Sequence, residues 1–351
     1  MPQVEKQSVL TEIAELASNL GRPPTYDEWR DTCHRGAALC SKWGGYPSVR
    51  TEALGNISGF ETPDLPTGEV PVETLIAEHK LRFNCKAEAE AARLLIPVKI
   101  KLDGPVGLWL CGDWHVDGDG TDLAWLENDL RLVDSTQGMF ASFLGDARNA
   151  WVGHLTRLYA EDGTSARDAV RLMKYYIELT DWLFVALGNH DLWSGATEPL
   201  TEVLSRTRSI CLPVAVRMGL QFPNGRVIKV NARHDYTGTS QWNPSHAVMK
   251  AAQMGWRDNI LTCGHKHKSG YGALKDPATK IISHCAQVAS YKLYDMFARD
   301  KGFPDQFIAP YSVFIIDPNA TNERDLIQHT WSLEYACDYL NFRRRQKGEK
   351  K

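Results

Sequence analysis

The chain has 351 residues, of which 43% are hydrophobic and 24% charged, and its 40 Lys and Arg against 43 Asp and Glu give a formal charge of −3. This balance excludes wholesale disorder, a collagen-like repeat and a strongly basic nucleic-acid coat. The length predicts one large domain with a small one beside it.

Residues 1–56 predict a small helical module. Its first helix is indicated by apolar residues at helical spacing, which are Leu10, Ile13, Leu16, Ala17 and Leu20. Gly21 favours the end of that helix. Thr25 followed three residues later by Glu28 forms a capping box, which predicts a second helix. After a Gly-rich turn, Ser48 is the predicted N-cap of a third short helix.

Residues 57–72 are rich in proline and glycine and predict a linker. The segment Val72 to Leu95, rich in Ala, Glu and Leu, predicts a helix leading into the main domain at 73–340. Residues 341–351 form a basic tail, for which a solvated end is favoured over a phosphate-binding arm.

Short apolar runs alternate with helical or polar stretches through the main domain. These runs are Val106–Cys111, Met139–Leu144, Trp182–Leu187, Val227–Val230, Ile260–Thr262 and Ser312–Ile316. Strands separated by helices predict an α/β or mixed-sheet fold.

No apolar run approaches the ~18 residues that a membrane helix needs, so we expect no membrane partner. The first residues include early acids and no apolar core, which is unlike a signal peptide. The eight cysteines stand singly, without a C-x-x-C pair. They predict reduced thiols and a cytoplasmic location.

Five of the apolar strands lead to residues of metal-ligand type, and in four cases a glycine directly precedes them. The seven candidates are Asp113, His115, Asp146, Asn189, His234, His265 and His267. In open α/β sheets, ligands bind at the carboxyl edge of the strands. The sequence therefore predicts a metal site at that edge.

The types of these side chains suit divalent metals such as Mn²⁺, Fe, Zn²⁺ or Mg²⁺, with Mn²⁺ favoured. Seven ligands are too many for one ion, whereas two ions that share one carboxylate would use them all. Pairs of metal ions about 3.5–4 Å apart serve in-line displacement at phosphorus.

The order D-x-H (Asp113–His115), G-D (Gly145-Asp146), G-N-H-D (Gly188–Asp191), His234 and G-H-x-H (Gly264–His267) resembles the calcineurin-like metallophosphoesterases. The residues around these motifs are similar to those of phosphoesterases carried by phages and prophages, which would place the protein in a host cytoplasm. The resemblance implies an α/β (α+β) fold, with two mixed β-sheets packed as a sandwich and flanked by helices. The small all-α module precedes that domain.

The resemblance also implies the site. Asp113, His115, Asp146 and His267 would hold one divalent metal ion. Asp146, Asn189, His234 and His265 would hold a second, with Asp146 bridging. A metal-bridging hydroxide would attack phosphorus in line, while His190 assists the leaving group, a task suited to an imidazole.

Many members of that family have an acid three residues after the bridging aspartate, where this chain has Asn149. Asn149 could hydrogen-bond His190, or Asp191 or another acid could replace the missing carboxylate. Arg148, Asn149 and Arg233 are candidate substrate contacts, with a surface position as the alternative for Arg148.

Two tryptophans and the N-terminal module bear on the substrate. Trp114 and Trp151 either stack on a base or wall the pocket. The module resembles the small DNA-binding repeats found beside homing endonucleases. Its residues 1–54 hold six Lys and Arg against seven acids, whereas a DNA binder usually has a basic excess. Both DNA contact and a structural or protein-docking role stay open, and the second is favoured.

The sequence therefore predicts a dinuclear metal-dependent phosphoester hydrolase, with a phosphodiester in nucleic acid as the favoured substrate. The alternatives are a small-molecule phosphatase or cyclic phosphodiesterase, and a metal-binding scaffold without turnover.

Overall fold

The computed structural model describes residues 2–35, 37–55, 68–160, 162–193, 199–294 and 307–348. The chain divides into two compact units, Met1–Lys80 and Leu81–Lys351. Most of the predicted linker at 57–72 lies outside the described residues, and the predicted domain limits stay predictions. In the described part of the chain, no helix is long and apolar enough to span a membrane.

The first unit is helical, as predicted, with one helix more than the sequence indicates. Its helices are α1 (Pro2–Leu20), α2 (Tyr26–Cys33), α3 (Ala37–Ser41) and α4 (Tyr46–Leu54). The capping box is confirmed, because Thr25 Oγ1 accepts from the Glu28 amide and the Glu28 carboxylate accepts from the Thr25 amide. The predicted cap at Ser48 is wrong: α4 begins after Gly45, and Ser48 donates to the Gly44 carbonyl at 3.1 Å.

Aromatic packing holds this unit together. Trp29 is fully buried and its ring stacks on Tyr46 at a centroid distance of 5.2 Å. The hydroxyl of Tyr46 donates to the Pro24 carbonyl at 3.1 Å. Val9 and Ile13, on the apolar face of α1, complete the core. Of the residues that predicted α1, Ile13 is buried and Leu10 and Leu16 pack partly buried against this core, whereas Leu20 is exposed.

A long helix, α5 (Val72–Arg93), crosses the boundary between the units and matches the predicted helix closely. The helices that follow it are α6 (Leu123–Ser135), α7 (Ala166–Ile177), α8 (Asn189–Leu192), α9 (Pro199–Leu204), α10 (His246–Ala251), α11 (Glu323–Leu326) and α12 (Leu333–Gly348). A 3₁₀ segment covers Gly153–Ala160, and a π-helical turn follows α10 at Ala252–Trp256.

Among the described residues of the second unit, twelve strands form two mixed six-stranded sheets. The strands are β1 (Ile96–Lys99), β2 (Val106–Cys111), β3 (Met139–Phe143), β4 (Trp182–Leu187), β5 (Ile210–Pro213), β6 (Ala215–Gln221), β7 (Val227–Arg233), β8 (Ile260–Cys263), β9 (Gly270–Lys275), β10 (Ile282–Gln287), β11 (Tyr311–Ile316) and β12 (Ile327–Thr330). One sheet has the order β1-β6-β7-β8-β10-β9, and the other β12-β11-β2-β3-β4-β5.

The two sheets pack face to face. Side chains of both sheets meet in one buried cluster that includes Leu108, Phe184, Met218, Val230 and Ile260. The intervening residues of β2 point to the other face and pack against α6, α7 and α12. A smaller cluster lies between α10 and the other sheet. The predicted sandwich of two mixed sheets flanked by helices is confirmed.

The basic end of the chain differs from the expected solvated tail as far as Gly348. Helix α12 continues to that residue. Arg344 donates to the carbonyls of Gln137 and Pro105, both at 2.8 Å. Arg343 pairs with Asp317 at 2.6 Å. These two arginines therefore help to hold α12 against the sheet that contains β11.

Candidate metal centre

The predicted ligands meet at the carboxyl ends of parallel strands. Asp113 and His115 follow β2, Asp146 follows β3, and His190 follows β4; these three neighbouring strands of one six-stranded sheet run parallel. His234 follows β7 and His265 follows β8, which are parallel neighbours in the facing sheet. The amide of His265 donates to Asp113 Oδ2 at 2.8 Å and so joins the two edges directly.

In the part of the chain that the structure describes, three groups of side chains could each hold a metal ion, with ligand atoms within 4.8 Å of one another. They are Asp113 with His115 and His267, His115 with Asp146 and His190, and Asp146 with His234 and His265. Asp146 and His115 each belong to two of these groups. Asn189 joins the last group, since its Oδ1 lies 2.8 Å from His234 Nε2.

Five of these ligands have left-handed backbone conformations. The φ angles are 51° at Asp113, 46° at His115, 59° at Asp146, 68° at His265 and 49° at His267. Residues other than glycine rarely adopt such angles, and those that do cluster at functional sites. The surrounding hydrogen bonds hold this backbone, which turns each side chain toward the common centre.

Two glycines let the ligand loops approach closely. A Cβ at Gly188 would lie 2.0 Å from Asp146 Oδ1. A Cβ at Gly264 would lie 2.3 Å from Asp113 Oδ2. The glycines that precede the ligands in the sequence therefore make room for carboxylates from neighbouring loops.

Unpartnered buried atoms in the described part of the chain fit a metal ion. Both ring nitrogens of His115 and Oδ1 of Asp113 are buried without a hydrogen-bond partner. Burial holds the pKa of His115 well below its usual range, so its imidazole is neutral and can coordinate a cation. Buried polar atoms are costly unless something satisfies them. The donor set of imidazole and carboxylate suits a divalent metal.

His234 has a fixed orientation. Its Nδ1–H donates to the Leu144 carbonyl at 2.7 Å, which directs Nε2 toward Asp146 Oδ2 at 3.1 Å. Burial lowers the pKa of His234, but the hydrogen bond and charge of Asp146 outweigh it and raise that pKa to about 10. Without metal, a proton therefore occupies the position that a cation would take.

His190 lies in an aromatic enclosure beside the centre. Its ring centroid is 4.1 Å from that of Trp193 and 4.9 Å from those of Trp151 and His115. Its Nε2 lies 3.9 Å from Asp146 Oδ2. Burial lowers the pKa of His190. The ring can therefore transfer a proton or add a ligand at this position.

The missing acid at position 149 has a different replacement from those expected. The Nδ1–H of His190 donates to the main-chain carbonyl of Asn149, and not to its side chain. Asp191 instead accepts from the amides of Asp146 and Gly188, at 2.7 and 2.9 Å. A backbone carbonyl thus orients the imidazole, while Asp191 holds the loops.

The sequence favours a solvated acidic turn at Asp117, and this expectation is wrong. Asp117 is 2% exposed and accepts the Asn149 amide at 2.7 Å, so it fixes the carbonyl that orients His190. Burial raises its pKa, whereas the nearby Arg148 acts in the opposite direction. Its short spacing after Asp113 and His115 is the signal that could have identified it.

The structure places the candidate substrate contacts in different environments. Arg148 is 6% exposed and close to Asp117, so the alternative of a surface arginine is wrong. Arg233 instead lines a separate cleft of about 320 Å³ with Tyr236 and Lys250. Stacking of Trp114 on substrate is excluded, because this side chain is fully buried against Phe143 and Trp182. Trp151 remains beside His190.

No protein-family model matches this chain, and no curated protein matches it. Several solved structures are similar in fold. A predicted phosphoesterase from Streptococcus pneumoniae is 13% identical, with a TM-score of 0.30, over 65% of this chain and 98% of that one.

Two further similar structures have been solved. The calcineurin-like phosphoesterase YfkN from Bacillus subtilis is 11% identical with a TM-score of 0.36, over 66% of this chain and 92% of that one. The nuclease MPE from Pseudomonas putida is 12% identical with a TM-score of 0.30, over 64% and 87%. All three are proteins that this chain resembles.

Proposed function

We propose that this protein is a phosphoester hydrolase that depends on divalent metal ions, with Asp113, His115, Asp146, Asn189, His234, His265 and His267 as the metal ligands. The observation that carries the proposal is the convergence of these side chains, with buried unpartnered atoms on Asp113 and His115. Two ions bridged by Asp146, Mn²⁺ being the first to test, would lower the pKa of bound water and neutralise phosphate oxygens.

His190 assists the leaving group in this proposal. The Asn149 carbonyl accepts the proton on Nδ1, so Nε2 is the nitrogen that faces the reacting centre. Burial lowers the pKa of His190, which makes the charged imidazolium a stronger acid. Trp151 and Trp193 limit water access to the ring and hold its plane.

The favoured substrate is a phosphodiester in a nucleic-acid strand. Aromatic side chains beside a phosphate site can stack on bases without sequence preference. Trp151 and Trp193 lie half-buried beside His190 and could supply such stacking surfaces. Small phosphoesters would use the same ligands but would not need this aromatic rim.

The N-terminal unit is proposed as a structural or protein-docking element. Residues 1–54 contain six Lys and Arg, and five of them form ion pairs with acids of the same segment: Lys6 with Glu52, Arg22 with Glu28, Arg30 with Asp27, Arg35 with Glu12 and Lys42 with Glu5. The surface of this segment therefore offers little uncompensated positive charge to a phosphate backbone.

The test is hydrolysis with added Mn²⁺. Linear single-stranded, linear double-stranded and circular DNA would be analysed on gels, alongside bis-p-nitrophenyl phosphate and p-nitrophenyl phosphate. Asp146→Ala should abolish activity, whereas Asp134→Ala, on the exposed side of α6, should retain it. An active Asp146→Ala variant that still binds metal would refute the assignment. Cleavage of the small esters with intact DNA would move the substrate to small molecules.

A further inference from the structure

A lysine that the sequence motifs do not include is fixed beside the metal centre. The segment after β10 is tied to the loop that follows β2, since Ser290 Oγ donates to the Asp113 carbonyl and the Asp122 amide donates to the Tyr291 carbonyl at 2.9 Å. Lys292 itself forms a β-bridge with Thr121. Its backbone is thus held in register with the metal-ligand loop.

The end of the Lys292 side chain lies over Gly118, close to the main chain of His115. A Cβ built on Gly118 would lie 3.2 Å from Lys292 Cε, 3.4 Å from its Nζ and 3.3 Å from the His115 carbonyl oxygen. Because Gly118 has no side chain, there is room for the end of the Lys292 side chain at this position. The charge of Lys292 is also among the causes that lower the pKa of His115.

The ammonium group of Lys292 lies near the ring of Trp151, which also contacts His190. Lys292 Nζ lies 6.0 Å from the centroid of Trp151, at the outer limit of a cation–π contact. The rings of Trp151 and His190 are 4.9 Å apart in an edge-on arrangement. Lys292 and His190 thus flank one tryptophan at the border of the centre.

Within the described ranges, no acid forms an ion pair with Lys292, although the side chain is partly buried. A partly desolvated ammonium group beside a set of metal ligands favours an anion with several oxygens, which can bind a cation on each side. A phosphate group has this chemistry.

We propose that Lys292 binds an anionic oxygen of the substrate's phosphate group, with Trp151 positioning its ammonium group. This rests on the proposed function only in naming the phosphate as part of a substrate. The alternative is a packing role, in which the aliphatic part of Lys292 covers Trp151 and its charge has no ligand.

The test compares Lys292→Met, which keeps an unbranched stem, with Lys275→Met, the same change at an exposed position on β9. Binding of inorganic phosphate to the Mn²⁺-loaded protein would be measured by calorimetry and by tryptophan fluorescence. We expect Lys292→Met to weaken phosphate binding tenfold or more at unchanged metal content. Lys275→Met should have no effect, and Lys292→Arg should restore part of the affinity.

An equal phosphate affinity in wild type and Lys292→Met would overturn the proposal, and so would a wild type that binds no phosphate. If Lys292→Met fails to fold, Lys292→Gln is compared with Lys292→Arg instead. An equal phosphate affinity of these two variants would also overturn the proposal. Hydrolysis of bis-p-nitrophenyl phosphate is measured separately. A wild type that binds phosphate through Lys292 but hydrolyses no ester would contradict the proposed function alone.

Discussion

Metal binding should displace a proton from His234, and this makes the affinity for metal depend on pH. The pKa of His234 is raised to about 10, because the charge and hydrogen bond of Asp146 outweigh burial. At pH 8, about two units below this pKa, the proton must leave His234 before a metal ion can bind there. This requirement makes the apparent affinity for metal roughly 100-fold weaker. The affinity should therefore rise about tenfold per pH unit between pH 7 and 9.

Calorimetry with Mn²⁺ in two buffers of different ionisation enthalpy would count the protons released. We expect about one proton per protein at pH 8 from this histidine. His234→Asn removes the titrating group, so proton release and the dependence on pH should both fall sharply. His79→Asn, at an exposed position on α5, is the matched control. Metal binding to wild type with no proton release would refute the reasoning.

Three further substitutions test the close approach of the ligand loops, the titration of a buried carboxyl and the core of the small unit. Gly188→Ala should remove most metal binding, measured by metal content after dialysis, because its Cβ would lie 2.0 Å from Asp146 Oδ1; a fully loaded variant would contradict this. Burial raises the pKa of Asp129, which accepts from the Tyr291 hydroxyl, to about 7. Because this pKa is raised, the carboxyl contributes its full stabilisation at a pH below its unfolded pKa. That contribution to the free energy of unfolding, at most about 4 kcal/mol, is lost as the pH rises from about 4 to 7. Asp129→Asn should therefore flatten urea-unfolding stability between pH 5 and 8, and an unchanged pH profile would count against it. Trp29→Ala should cost the small unit about 3–5 kcal/mol, seen as early loss of helical circular dichroism, since this side chain is fully buried; a loss under 1 kcal/mol would be inconsistent with that core.

Much of the second unit follows from local patterns. Strands β2 and β4 lie at the predicted residues, because both are continuous apolar runs bounded by turn residues. The strands that were not predicted are β1, β5, β6, β9, β10 and β12. Four of them form the edges of the two sheets, where half-exposed residues give a weak apolar signal.

The sequence by itself determined the types and the order of the proposed ligands, because each of them closely follows a strand and a glycine often precedes it. Parallel strands then require these residues to meet at one edge. Only the tertiary structure decided which atoms face the centre. The carbonyl of Asn149 orients His190, and Lys292 reaches the site from a segment 177 residues after His115. Backbone carbonyls carry no sequence signal, and contacts so distant in the chain depend on the packing of the two sheets rather than on local spacing.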